Sequence, residues 1–251
     1  MKNLLIMHNV QTIIGGVALA LTISGCNGLK SSEEVINVQD QVEPIAYIHN
    51  SIISNLLGAE TKSSSENLRT EDHARLISRM ACDAASEIGI SVTPETIFEF
   101  VRTEQIKFFN VYDKEGAMTP VHYIDNLPYE ETVKSVIRQC YINDVNNNGT
   151  SLENYLYELS RLETKSNYNS TPYRYTDMLH FYRSDCMIWE KYYATKGGNG
   201  RHIAAVATDV IVGVTLSGVT GFWGAVAAAA VSALASEAME NGEMDPDSGT
   251  D

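Results

Sequence analysis

The sequence predicts an all-α protein: a helical bundle with a C-terminal hairpin of small-residue (Gly/Ala) helices, preceded by a cleaved signal and a flexible tether. Three observations predict this fold class. Apolar residues recur at intervals of three and four along most of the chain, as on the buried face of an amphipathic helix. Residues that favour the start or the end of a helix stand at the borders of these segments. No stretch alternates between apolar and polar residues for long enough to indicate a strand.

The N-terminus has the layout of a secretory signal. Lys2 is its short basic start, residues 10–23 are mostly apolar, and small residues precede Cys26. The stretch Ile23-Ser24-Gly25-Cys26 resembles the lipobox of bacterial lipoproteins. This resemblance implies that residues 1–25 are removed and that Cys26 becomes the first residue, acylated with diacylglycerol and palmitate. Such an anchor needs no transmembrane helix, because each buried methylene of an acyl chain contributes about 0.8 kcal/mol.

The residues behind Cys26 bear on location. Residues 26–40 are polar and show no periodicity, which is typical of a flexible tether. Asn27 is not the aspartate of the usual inner-membrane retention signal, and Glu33 and Glu34 loosely resemble the acidic run of surface lipoproteins in Bacteroidetes. We therefore expect a lipid-anchored protein of the cell envelope, at the outer rather than the inner membrane, with surface exposure left open.

Residues 41–196 are predicted to form a helical domain. Gly58 and Gly89 end two of its helices, Thr70 caps one, Pro94 opens another, and Thr150 with Glu153 forms a capping box. The predicted helices are, in order, residues 44–58, from Thr70 to Gly89, from Pro94 through Phe109, from behind Pro128 through Cys140, residues 151–163 and residues 177–194.

Residues 197–240 are predicted to form the hairpin. Small residues recur there at every fourth position and so share one face of a helix. This ladder consists of Gly213, Ser217, Gly221, Ala225, Ala229 and Ala233. Such a face lets another helix approach closely. No residue between Asp209 and Glu237 is charged, but the small side chains make the segment a weak membrane span. We therefore expect two packed helices, residues 201–216 and 222–240, followed by an acidic disordered tail at 241–251.

Charge and cysteine content limit the function. The net charge of −14 argues against nucleic acid as a partner, because phosphates would be repelled. With Cys26 assigned to lipid, the remaining cysteines are Cys82, Cys140 and Cys186, an odd number for an exported protein. One disulfide with one thiol is possible, and three buried thiols are the favoured interpretation.

One segment has a weak likeness to a calcium-binding loop. Asp144, Asn146 and Asn148, followed by Gly149, reproduce the opening of an EF-hand or dockerin loop. Tyr155 stands where the closing glutamate belongs, and an Asn-Gly turn that caps the next helix explains the same residues. We therefore predict no metal site and no cofactor, and keep this loop as a weak candidate.

No catalytic residues are predicted. His49 is a possible base, but no spacing ties a nucleophile or a carboxylate to it. The sequence also lacks the common hydrolase, zinc-protease and phosphate-loop motifs. We therefore expect a protein that is not an enzyme.

Two resemblances involve the C-terminal segment. Residues 196–230 resemble the double-glycine site, here Gly197 and Gly198, and the Gly/Ala-rich segment of colicin V-type bacteriocins. The two ends of the mature chain also resemble uncharacterised Bacteroidetes proteins that combine an early His-Asn, here His49-Asn50, with a glycine-zipper-like run. The first resemblance implies membrane activity, and the second implies no activity.

The functional expectation has two forms. The first is a lipid-anchored envelope protein that binds or interacts, with the membrane as partner through its lipid and with self-association or a protein partner through the Gly/Ala segment. The alternative is a membrane-active, bacteriocin-like or pore-forming-like protein that acts through residues 199–240.

Overall fold

The fold is built from helices throughout the part of the chain that the structure describes. This computed structural model describes residues 42–58, 65–115, 121–127, 129–147, 149–166, 174–196, 201–217 and 223–240, and no strand occurs within those ranges. The helices are α1 Val42–Gly58, α2 Ser65–Leu68, α3 Glu71–Glu87, α4 Pro94–Glu115, α5 Val121–Asp125, α6 Glu131–Asn147, α7 Ser151–Ser166, α8 Tyr175–Lys196, α9 Arg201–Ser217 and α10 Gly224–Glu240. The predicted all-α bundle is confirmed.

The helix borders follow the predicted signals at several points. The Thr70 hydroxyl accepts a hydrogen bond from the backbone N–H of His73 at 3.2 Å and so caps α3. Gly89 follows α3 with a backbone φ of +80°, a conformation that residues with a Cβ rarely adopt. Pro94 is the first residue of α4. Helices α2 and α5 were not predicted, because four and five residues are too few to show helical periodicity.

The hairpin of α9 and α10 forms the centre of the fold. The two helices pack against each other; α10 also contacts α1, α3 and α4, whereas α9 contacts α8, α6 and α1. Every residue from 205 to 217 and from 224 to 236 is buried. A helix that is apolar on all sides must be covered on all sides, and the amphipathic helices of the earlier chain provide that cover. All ten helices belong to one compact unit that spans residues 36–251.

The ladder residues pack inside their own chain. Gly213 and Ser217 lie on α9, and Ala225, Ala229 and Ala233 lie on α10, and all are buried. A Cβ at Gly213 would lie 2.9 Å from Phe181 Cε1 and 3.2 Å from Ile45 Cγ2. The missing side chain therefore lets α8 and α1 approach α9. Within the described residues, no helix is both long enough and apolar enough to span a membrane.

The prediction of three unconnected thiols is confirmed, but only Cys82 is buried, whereas Cys140 and Cys186 are partly exposed. Cys82, Cys140 and Cys186 are all free. Burial raises the pKa of the Cys82 and Cys140 thiols to about 11. Residues 1–41 with Cys26, the ladder residue Gly221, the loop residue Asn148 and residues 241–251 lie outside the described part of the chain.

Candidate functional site

Three ionisable side chains meet in the interior where α1, α8 and α9 come together. They are His49, Asp185 and Asp209, and each is 0 % exposed. One nitrogen or oxygen atom from each residue lies within 4.8 Å of the corresponding atoms of the other two. In the described part of the chain, this is the single trio of potential ligand residues that is close enough to share a metal ion.

The helical pattern explains why these polar groups are buried. His49 lies on the face of α1 that also carries Ile45, Ile48 and Ile52, all 0 % exposed. Asp185 follows Phe181 by one helical turn on the buried side of α8, and Asp209 lies in the enclosed part of α9. Each residue therefore occupies a position where an apolar side chain would be the ordinary choice.

A chain of hydrogen bonds fixes the tautomer of His49. The Ser184 hydroxyl donates to the backbone carbonyl of Phe181 at 3.0 Å, so its oxygen accepts from Asn50 Nδ2 at 2.9 Å. This orientation of the Asn50 amide places its Oδ1 3.1 Å from His49 Nδ1. Because Oδ1 can only accept, Nδ1 carries the proton and donates it. The lone pair of the neutral ring is therefore on Nε2.

His49 Nε2 points toward Asp209. The distance from Nε2 to Asp209 Oδ2 is 3.4 Å, and Nε2 has no hydrogen-bond partner. The other edge of the ring faces Asp185, with 3.8 Å between Nδ1 and Asp185 Oδ1. Burial lowers the pKa of the imidazole, and the Asp185 charge only partly opposes this effect. The ring is thus neutral and able to donate an electron pair.

Helix α10 holds Asp209 in place. The Ser236 hydroxyl donates to Asp209 Oδ1, and the Ser232 hydroxyl donates to the Asp209 backbone carbonyl at 2.8 Å. One carboxylate oxygen is therefore fixed by the partner helix of the hairpin, while Oδ2 faces His49.

Of the three side chains, Asp185 has the surroundings that most disfavour its ionised form. Burial raises the pKa of its carboxyl well above the usual range, and the nearby Asp209 raises it further. His49 opposes these effects, and the Trp189 indole also favours the ionised form. Neither carboxyl oxygen has a hydrogen bond of good geometry. The site therefore places a second carboxyl beside the first without a protonated base to balance it.

A divalent cation would relieve this arrangement. An imidazole nitrogen and two carboxylate oxygens are a donor set used for Zn²⁺, Mn²⁺ and Fe²⁺. Ligand bonds of about 2.0–2.1 Å in a tetrahedral site place ligand atoms about 3.3–3.4 Å apart. The 3.4 Å between His49 Nε2 and Asp209 Oδ2 fits that spacing. Asp185 is the third candidate ligand, because one of its oxygen atoms lies within 4.8 Å of the ligand atoms of the other two residues.

The sequence predicted only one member of this site. It marked His49 as a possible base but tied no carboxylate to it, and the structure brings two carboxylates to the ring from helices far along the chain. The spacing of residues along one sequence does not show which distant helices will bring their side chains together. The available signal was an aspartate on an otherwise apolar helix face, as at Asp209.

The weak calcium candidate has a different role for its first residue. Asp144 is buried, and its Oδ1 and Oδ2 accept hydrogen bonds from the backbone N–H groups of Ser151 and Leu152, at 2.5 Å and 2.9 Å. Asn146 is exposed, and Asn148 lies outside the described residues. Asp144 therefore caps α7.

The capping box predicted for α7 is wrong. Thr150 accepts a weak hydrogen bond from the Asn154 side chain at 3.4 Å, and Glu153 binds Arg183 at 2.7 Å. Neither side chain bonds the other's backbone N–H as a capping box requires. Asp144 satisfies the first N–H groups of α7 from the preceding helix, so Glu153 is available to tie α7 to α8.

Comparison with models of known protein families, with curated proteins and with solved structures finds no match for this chain.

Proposed function

We propose that the protein is a lipid-anchored component of the cell envelope that binds one divalent transition-metal ion through His49, Asp185 and Asp209. The observation that carries this proposal is the His49 Nε2 atom, which is fully buried, lacks a hydrogen-bond partner and faces a carboxylate oxygen. Burying an ionised carboxylate without a cation costs several kcal/mol, and the raised pKa of the Asp185 carboxyl reflects that cost. A bound dication offsets that cost.

The proposed role is binding rather than catalysis. All three side chains are 0 % exposed, so a substrate has no direct access to the metal position. Catalytic zinc sites keep an open coordination position for water or substrate, whereas structural and storage sites are closed. The function expected from this geometry is retention of the ion, with the lipid on Cys26 keeping the protein at the membrane.

Metal content tests the proposal directly. The full chain, purified in detergent, is dialysed against Zn²⁺, Mn²⁺ or Fe²⁺ and measured by mass spectrometry for bound metal and by calorimetry for unfolding temperature. We expect about one equivalent of one of these ions, and a rise in unfolding temperature when it binds. Asp209→Asn should lose the ion.

Asp177→Asn is the matched control, because Asp177 is also buried but pairs with Arg174 at 2.9 Å, outside the cluster. It should retain the ion. A wild-type protein that takes up none of the three ions would overturn the metal proposal, and the cluster would then be a set of carboxyl groups that share protons with a neutral histidine.

The anchor is tested separately. Cys26→Ser should move the protein from the membrane fraction to the soluble fraction, because the acylated thiol is lost. If the variant stays in the membrane fraction, the lipid anchor is not what holds the protein there, and residues 210–236 become the candidate attachment.

A second candidate function is membrane activity through residues 199–240. It is favoured by one observation: an apolar hairpin is kept covered by amphipathic helices of its own chain, so release would expose it as a unit. Full-length protein is added to dye-filled vesicles of phosphatidylethanolamine and phosphatidylglycerol. Leakage at micromolar protein supports this candidate, and intact vesicles with a folded protein oppose it.

A further inference from the structure

A groove between α1 and α8 lies directly outside the candidate metal site. Its volume is about 510 Å³. Six of the eight residues that line it carry hydroxyl or amide groups, among them Ser51, Ser54 and Asn55, and none of the eight is charged. The groove is thus an uncharged recess of an acidic protein, in which hydroxyl and amide groups stand among apolar side-chain surface.

Asn50 and Ser184 form the boundary between this groove and the buried cluster. Both residues line the groove, and each is the chain neighbour of a cluster residue, His49 or Asp185. Their hydrogen bond of 2.9 Å joins α1 to α8, and Asn50 Oδ1 contacts His49 Nδ1 on the inner side. The Asn50 side chain therefore contacts both solvent-facing space and the His49 ring.

The other approaches to the cluster are closed. The Phe181 ring packs edge-on against His49, with 5.3 Å between ring centroids, and α10 covers Asp209 through Ser236. A hydrated ion would have to shed its water among apolar groups on those sides, which is costly. At the groove, amide and hydroxyl oxygens can replace water molecules one at a time.

We propose that the groove between α1 and α8 is the entrance of the metal ion and that the Asn50–Ser184 hydrogen bond is its gate. This inference rests on the proposed metal-binding function. Opening requires only that one neutral hydrogen bond break while the two helices keep their apolar contacts. The gate then sets how fast the ion exchanges, and the three ligands set how tightly it is held.

Ser184→Ala tests the gate, because it removes the bond and leaves Asn50 beside His49. In stopped-flow measurements on the full chain, we expect Zn²⁺ uptake to become about tenfold faster, because the closed state loses one neutral hydrogen bond. Extraction by a chelator should speed up by at least as much, because the loss of Ser184 also loosens the Asn50 side chain that supports His49. Ser54→Ala is the matched control, since Ser54 lines the same groove and is exposed. It should exchange metal at the wild-type rate, and a Ser184→Ala variant that does the same would place the entrance elsewhere.

A second measurement needs no metal. Diethyl pyrocarbonate modifies accessible histidines, and mass spectrometry reports the rate at each site. Ser184→Ala should speed modification of His49 and leave that of His73 unchanged, because His73 lies away from the groove, against Glu237. An unchanged rate at His49 overturns the gate. Faster modification of His49 in a protein that binds no metal keeps the entrance and refutes the metal function alone.

Discussion

Two buried histidines of this protein have opposite surroundings. His73 of α3 forms a short contact of 2.6 Å with Glu237 at the end of α10, so one base meets one acid. His49 lies between two acids at 3.4 Å and 3.8 Å, and its Nε2 has no hydrogen-bond partner. The first arrangement is a complete ion pair or hydrogen bond that joins two helices. The second has no positive charge beside its two carboxyl groups, and this difference makes the His49 cluster the candidate functional site.

The largest expected effect is a difference in Zn²⁺ affinity between variants of the two histidines. His49→Gln removes the nitrogen ligand, so we expect affinity for Zn²⁺ to fall by at least about 100-fold. His73→Gln should leave the affinity unchanged and lower only the stability. Isothermal titration of both variants measures this. Equal affinities for the two variants would remove the distinction between the sites.

Replacing one acid beside each of the two histidines should change the free energy of unfolding in opposite directions. Asp185→Asn replaces a buried carboxyl whose pKa burial raises, and the metal-free variant should gain about 1–2 kcal/mol in the free energy of unfolding. Glu237→Gln weakens a short contact to His73 and should lose about 1–2 kcal/mol. Urea unfolding in the presence of a chelator gives both values. A loss of stability in Asp185→Asn would show that Asp185 is an ordinary structural partner.

A smaller effect concerns packing beside the cluster. Gly213→Ala places a Cβ 2.9 Å from Phe181, and Phe181 packs on His49, so we expect a loss of about 1–2 kcal/mol and weaker metal binding. Gly58→Ala is the control, because nothing lies within 4 Å of its added Cβ. Thermal unfolding and Zn²⁺ titration compare the two variants. A Gly213→Ala protein as stable as wild type would show that the approach of α8 to α9 is not tight.

The smallest expected effect concerns the reactivity of two thiols, Cys82 and Cys140, which have no charged partner of opposite sign. The raised pKa of about 11 means that the Cys82 and Cys140 thiols are almost fully protonated at pH 8. Because the thiolate is the reactive form, alkylation by iodoacetamide should rise about tenfold for each pH unit until the pH approaches that pKa. Rates by mass spectrometry between pH 8 and pH 10 test this. A plateau near pH 8.5 would show that these thiols have ordinary pKa values.

The helices could be predicted because their signals are local. Pro94 at the start of α4 and Thr70 before α3 act within one helical turn, so a short stretch of sequence contains the whole cause. The two hairpin helices were predicted at residues 201–216 and 222–240, and the structure has α9 at Arg201–Ser217 and α10 at Gly224–Glu240. The short helices α2 and α5 were missed because tertiary packing, not periodicity, stabilises them.

The site could not be predicted because its cause is not local. Whether Asp185 meets His49 depends on which faces of α1 and α8 pack together, and a single sequence contains no information on that pairing. The Thr150 capping box failed for the same reason, since Asp144 reaches the start of α7 from the end of the preceding helix. Helical periodicity assigns each side chain to a face of its own helix. The packing of that face against other helices decides which groups surround the side chain, and so its chemistry.

The position of the hairpin in the chain has a consequence for biogenesis. The core helices α9 and α10 follow α1, α3, α4 and α8 along the chain, yet they supply the surface on which those earlier helices pack. A nascent chain therefore emerges with these outer helices before the two helices that they cover. Cooperative folding must wait for α9 and α10, so a chain truncated before α9 leaves the apolar faces of the earlier helices uncovered and should be degraded by proteases.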